Sequence, residues 1–188
     1  SPDGTKVAFV TSATNLGPTD TNGVEDVYVR DLTAGTTRLV SANAKGTDGG
    51  NQPSGVPVWS PDGTMLAFAT AASDLGPNDT NGTLDVYVRD LAGDTTRLVS
   101  ANAAGTDGGN DPSFRPVFDA SSRRIAFESV ASNLGTTDTN GTTDVYLRDL
   151  TTNRTTLVSV SATNDRAGNG FSAGPTFSPD GNTVPLTE

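Results

Sequence analysis

Neither cysteine nor histidine occurs anywhere in the 188 residues. Their absence removes disulfides, thiolate chemistry and the nitrogen and sulfur ligands of zinc and copper, so oxygen is the only abundant donor type. It leaves the compartment open, since exported chains without disulfides and cytosolic chains both fit. Long apolar runs are missing too: no stretch approaches the roughly 20 residues of a membrane span, and membrane insertion is not expected. No sustained 3.6-residue apolar period appears, which argues against helices. Basic residues are few, 12 against 22 acidic, giving a net charge of -10. A nucleic acid or an anionic membrane is therefore a poor partner, and cations are the natural counter-species.

What is plentiful is glycine (21) and proline (11), beside only 33% apolar residues. That balance suits many short strands joined by turns. The organising stretch is Asp20-Thr21-Asn22-Gly23-Val24-Glu25-Asp26, followed at once by Val27-Tyr28-Val29-Arg30-Asp31-Leu32. It returns from Asp79 to Asp85 and from Asp138 to Asp144, each time 59 residues on, and runs into the same Val-Tyr-apolar-Arg-Asp-Leu segment.

A fixed internal period takes precedence over length in assigning the fold. On the 59-residue period Ser1-Pro2-Asp3-Gly4 lies over Ser60-Pro61-Asp62-Gly63, Asp119-Ala120-Ser121-Ser122 and Ser178-Pro179-Asp180-Gly181. Pro-Asp-Gly is a turn in which proline presets one torsion, aspartate bonds back to the chain and glycine takes a positive φ. Each unit then reads as four short strands. Strand A precedes the turn (Pro57 to Ser60, Pro116 to Asp119, Pro175 to Ser178), and the apolar strand B follows it (Lys6 to Val10 and its copies). Strand C is Val27 to Leu32 and its copies, and strand D begins near Thr37. Four antiparallel strands repeated in this way predict an all-β fold of β-propeller blades, because a sheet apolar on both faces needs a neighbour on each. Unrelated hairpins on a sandwich are the alternative, but sandwiches do not usually repeat their sequence. The expected division is one propeller or propeller segment over 1–188, with repeats at about 1–59, 60–118 and 119–177 and a partial fourth at 178–188.

The Ser-Pro-Asp-Gly turn, the apolar-Ala-Phe strand and Asp-Val-Tyr-Val-Arg-Asp-Leu resemble the WD-like repeat of TolB-like β-propellers, with calcium-loop-like Asp-Thr-Asn-Gly insertions. The resemblance covers the whole chain. It implies a propeller fold and a bacterial periplasmic or secreted location, and says little about activity, because one fold serves scaffolds, binding modules and the propeller domains of peptidases. The unit departs from a WD-type blade of about 40 to 45 residues. Its excess lies in the B-to-C and D-to-A loops, which by strand parity share one face of the disc; a protein or glycan ligand is expected there. Three blades are fewer than the usual four to eight. A homo-oligomer or filament made by blade completion is therefore expected, or further blades in a longer chain. Proline at 185 makes the stretch from Asn182 to Leu186 an edge strand or irregular.

Asp20, Asn22 and Asp26, with Asp79, Asn81, Asp85 and Asp138, Asn140, Asp144, offer carboxylate and amide oxygens at i, i+2 and i+6. Calcium takes six to eight such oxygens, and glycine lets the loop bend around the ion. The other reading is a solvated Asn-Gly turn with the aspartates capping amides. A bare turn does not need both aspartates in all three copies, so about one Ca²⁺ per repeat is the expectation. Three ions would move the charge from -10 to about -4. Asn15, Asp74 and Asn133 are expected to turn the chain, and Asp31, Asp90 and Asp149 to cap the C-to-D turn. Trp59, Phe118 and Phe177 are expected in the core, and Glu128 on a wall-facing or solvent position.

No nucleophile with a base, and no unique carboxylate pair, stands out, so no catalytic residue and no enzyme activity is expected. The favoured reading is a calcium-stabilised structural or interaction scaffold outside the cytoplasm. A calcium-dependent carbohydrate-binding module, with Phe114 and Phe171 as stacking rings, and the propeller part of a secreted hydrolase are the alternatives.

Overall fold

The computed structural model describes residues 1–17, 20–76, 79–135, 138–181 and 183–184. The proline-bearing segment expected near 185 lies mostly outside them.

Among the described residues, eleven strands form three antiparallel sheets, each built by nearest neighbours in sequence. The first contains β1 (Lys6–Thr11), β2 (Asp26–Asp31) and β3 (Thr36–Leu39). The second contains β4 (Val58–Trp59), β5 (Met65–Thr70), β6 (Asp85–Asp90) and β7 (Thr95–Leu98). The third contains β8 (Ser113–Phe118), β9 (Arg124–Ser129), β10 (Asp144–Asp149) and β11 (Arg154–Leu157). These are the expected strands A to D, and the bounds of B, C and D recur 59 residues apart in every copy. Strand A is the variable one. It is two residues long in β4 and six in β8, where the register shifts between Phe114 and Val117 and Arg115 takes φ 52°. The expected third copy, Pro175 to Ser178, is not a strand. A strand requires a ladder partner, and most of the segment that would supply one lies outside the described residues. Among the described residues β1 likewise pairs only with β2, and its Val7 is 48% exposed.

Alternation along the strands explains how the sheets stack. Residues on opposite faces of the second sheet enter different cores. Leu66, Phe68 and Tyr87 pack with Val27, Val29 and Val40 of the first sheet. Ala67, Val86 and Val88 face Ile125, Phe127 and Tyr146 of the third. Each sheet is thus covered by its neighbour, as the continuous apolar pattern of strand B requires. Of the three aromatics expected inside, Phe118 is buried, whereas Trp59 packs half-buried against the first core and Phe177 lies half-buried beneath the Arg124 guanidinium.

Glu128 overturns the solvent-facing alternative: it is 1% exposed, with Arg115 Nη1 at 3.4 Å and the Gly174 amide donating to its Oε1 at 2.8 Å. The long-loop face expected from parity is formed, because B-to-C and D-to-A loops bond directly to each other. Between sheets, Asn51 closes a reciprocal clasp, its side chain bonding Ser73 Oγ and the Ser73 amide, both at 3.0 Å. The Asn51 amide donates to Asp74 Oδ1 at 2.9 Å. Asn110 repeats this on Ser132 and Asn133.

Phe68 is fully buried in the joint of the first two sheets. Phe68→Ala is expected to cost about 3–5 kcal/mol of stability, read from the urea midpoint.

Candidate functional site in the acidic loops

Each long loop begins as strand B ends and returns as strand C, so its two ends are fixed by the B–C ladder. That ladder sets Phe9 opposite Tyr28, Phe68 opposite Tyr87 and Phe127 opposite Tyr146. The rings stack at 6.1, 6.5 and 6.0 Å between centroids. Their phenol oxygens reach the first aspartate of the loop. Tyr28 donates to Asp20 Oδ2 at 2.6 Å and Tyr146 to Asp138 Oδ2 at 2.8 Å, and Tyr87 makes the same bond to Asp79. Burial, followed by the carboxylate, pushes all three phenols upward, so they remain donors.

The last aspartate of the motif opens strand C and is fully buried. Ser41 donates to Asp26 Oδ1 and Ser159 to Asp144 Oδ1, at 2.5 and 2.6 Å, and Ser100 does so to Asp85. The same seryl oxygens accept the amides of Val27, Val86 and Val145. The asparagine between them closes the loop. Asn22 Nδ2 donates to Asp26 Oδ2 at 2.8 Å and to the Gly50 carbonyl at 2.7 Å, while its Oδ1 accepts the Val24 amide at 2.9 Å. Asn81 and Asn140 repeat all three bonds. Gly23, Gly82 and Gly141 follow at φ 71°, 69° and 67°, a region that L side chains seldom adopt.

A second staple joins the two long loops. Thr21 donates its amide and hydroxyl to Asp48 at 2.7 and 2.6 Å, and Thr80 does the same to Asp107. In the third repeat Arg166 stands where Asp48 and Asp107 do, and Asp165 turns instead onto Ser161 and Thr163.

The nine residues expected to hold metal therefore come together in threes, with Asp20, Asn22 and Asp26 and their copies in one polar cluster per repeat. Asparagine presents its nitrogen, not its oxygen, to the neighbouring carboxylate. Among the described residues no three acidic side chains converge as a metal site. One acceptor oxygen in each of two loops is left over: Asp20 Oδ1 and Asp79 Oδ1 are buried without a hydrogen-bond partner among the described residues. In the third loop Asp138 Oδ1 accepts the Asn140 amide at 3.3 Å.

Of the supporting groups, Asp31, Asp90 and Asp149 cap the C-to-D turn as expected, each accepting two backbone amides. Asp74 and Asn133 accept the amides of Asn51 and Asn110 from the preceding repeat. The serines and tyrosines were not singled out from sequence. Ser41, Ser100 and Ser159 do recur at the 59-residue period, and that was the available signal. Phe114 sits half-buried inside β8, and Phe171 is 62% exposed.

Burial pushes the Asp85 carboxyl up to about 6, against hydrogen bonds from Ser100 and Asn81. Asp26, Asp79 and Asp144 are raised by the same cause. A raised carboxyl pKa means that the native state takes up protons before the unfolded chain does. In chelator, stability is expected to rise as pH falls from about 7 to about 5, and urea titrations at each pH will read it. Asp48 and Asp107, lowered chiefly by the Thr21 and Thr80 bonds, act oppositely in more acid solution. Asn81→Ala strips donors from Asp85 and the Gly109 carbonyl, for an expected loss of about 1–3 kcal/mol by the same measurement.

No family model matches this chain, and no curated protein sequence does. Solved structures do. TolB from Acinetobacter baumannii superposes with a TM-score of 0.58 at 21% identity, over 98% of this chain and 35% of that one. A putative TolB from Agrobacterium tumefaciens gives 0.51 at 17% identity, over 84% of this chain and 46% of that one. The β-propeller domain of the Trilobed protease from Pyrococcus furiosus gives 0.51 at 14% identity, over 81% and 38%. The chain thus spans less than half the length of each. At these identities the likeness is one of fold, and the fold is that of a TolB-like β-propeller.

Proposed function

We propose that this chain is a non-catalytic part of a propeller scaffold, working in the periplasm or outside the cell in assembly or partner binding. The observation that carries the reading is repetition. The carboxylates that cluster do so in every repeat, and each is engaged by the same serine, asparagine or tyrosine of its own blade. A task done three times over is a structural one, whereas catalysis needs one constellation with groups in distinct environments. The stapled loops give the long-loop face a fixed shape, which favours it as the surface presented to a partner or to a further copy of the chain. A screen with peptide, ester and glycoside substrates is expected to give no turnover above buffer. Turnover lost in Asp26→Asn with the fold intact would overturn the reading.

Calcium is a second part of the proposal, supported by the buried, unpartnered oxygens of Asp20 and Asp79. An uncompensated carboxylate oxygen in a buried site is costly, and a hard cation is the ligand that such an oxygen favours. The ion would reinforce a loop already closed by hydrogen bonds, with Asp20 and Asp79 as its first ligands. Native mass spectra and thermal melts in calcium and in chelator test this. Bound ions and a melting temperature raised by calcium are expected, with both effects lost in the Asp20→Asn, Asp79→Asn double variant. Spectra and melts unchanged by chelator would leave the scaffold resting on hydrogen bonds alone.

A further inference from the structure

The two joints between sheets carry the same cationic fittings, but one member differs. At the first joint Arg38, on β3, donates to the Leu91 carbonyl at 2.7 Å, and its second nitrogen grips the Asp94 carboxylate. Arg89, on β6, donates to Thr96 Oγ1 at 2.7 Å and grips the same Asp94 oxygen, Oδ1. Asp94 is thus clamped between two guanidiniums, an arrangement of charge-assisted bonds that holds the β6–β7 turn against the preceding sheet.

At the second joint Arg97 and Arg148 take the places of Arg38 and Arg89. Arg97 donates to the Leu150 carbonyl at 3.2 Å, and Arg148 to Thr155 Oγ1 at 3.0 Å, which are the same two anchoring bonds. The residue at the place of Asp94 is Asn153, 59 positions later and with nearly the same backbone, φ 57° against 53°. The clamp is kept and its carboxylate is gone. Among the described residues no acidic side chain lies within 4.0 Å of Arg97 or Arg148. Asp149, next in the chain, spends its Oδ1 on the amides of Thr151 and Thr152. Burial and then the Arg97 charge hold the Arg148 guanidinium below its usual value, against the pull of Asp149; Arg89 is lowered in the same way.

There is room beside Arg148. A pocket of about 610 Å³ opens along this joint, lined by Arg148, Asn153, Arg154, Thr155, Leu98 and Leu134, while Arg97 on β7 is exposed outside that lining. Arg148 is only 9% exposed, so its charge is largely removed from water and its pull on an anion is little screened. We propose that this joint is a binding site for a small carboxylate ligand, gripped by Arg97 and Arg148 where Asp94 sits one joint earlier. Arg154, at the pocket rim, adds a third cation, and the leucines accept an apolar body behind the carboxylate. In a chain of net charge -10 general attraction for anions is absent, so a saturable response to one has to come from a local site.

The internal repeat supplies the test. Acetate is titrated against chloride at constant ionic strength, and the arginine Nε–H resonances are followed by NMR. In the native chain Arg97 and Arg148 are expected to shift saturably, while Arg38 and Arg89 stay still. Asn153→Asp installs the carboxylate of the first joint on a backbone that already accepts aspartate there; it is expected to weaken the acetate response at least tenfold and to raise the melting temperature. Asp94→Asn is expected to extend the response to Arg38 and Arg89, with Arg97 and Arg148 still shifting. Absence of saturable shifts in the native chain would sink the proposal, as would shifts that persist unweakened in Asn153→Asp; that native-to-Asp comparison decides the matter even if Asp94→Asn fails to fold.

Discussion

A buried phenol bonded to a buried aspartate is the contact on which each repeat depends. Tyr28 stands in the middle of a sheet, stacked on Phe9, yet its hydroxyl ends at Asp20 in the loop above. One side chain therefore belongs both to the apolar core and to the polar cap. Without the phenol, Asp20 Oδ2 would lose its hydrogen bond in a place closed to water, and without the aspartate the hydroxyl would do so. Such mutual dependence makes a polar group inside a sheet protein a specifying element, since a one-residue slip of strand C would turn the tyrosine away from its partner.

From that contact the loop is built outward by short steps. Asp26 fixes Ser41, which accepts the Val27 amide and so links the start of strand C to the chain leaving strand D. Asn22 then bridges Asp26 to the carbonyl of Gly50, bringing the D-to-A connection alongside. That connection carries Asn51, which clasps Ser73 and Asp74 of the next sheet. The long-loop face is thus a continuous polar belt running from blade to blade, while the apolar faces beneath are pressed together. Burial of residues such as Phe68 and Phe127 supplies most of the driving force, and the belt sets register and spacing.

Sheet number, strand order and the face that carries the long loops were legible from period and parity alone, because a repeated alternating pattern leaves few arrangements. The acidic motif was legible as a cluster but not in its internal wiring. Asp20, Asn22 and Asp26 have ligand-like spacing, yet spacing does not say whether Asn22 turns its oxygen or its nitrogen inward. That is decided by Gly50, 28 residues away, whose carbonyl demands a donor. The third copy of strand A was misjudged for a similar reason, the other two being present as β4 and β8. Pro175 to Ser178 has the right residues, but strand formation depends on a partner ladder and not on the segment itself. Glu128 reads as a polar intrusion in strand B, and only the fold brings Gly174, 46 residues on, to satisfy it.

Where three copies of one unit share a fold, their agreement reports on structure and their disagreement reports on what structure does not require. Residues 35, 94 and 153 illustrate the distinction. All three take positive φ, and Gly, Asp and Asn are types that tolerate it, so the turn constrains backbone and not charge. Charge at that position is then free to follow its neighbours. The arginines on either side are retained at the second joint although the aspartate is not, and keeping two cations close together in a partly buried joint is unfavourable unless something anionic joins them. The asymmetry between two otherwise matching joints thus separates the part of this repeat that holds blades together from the part that is available to a ligand.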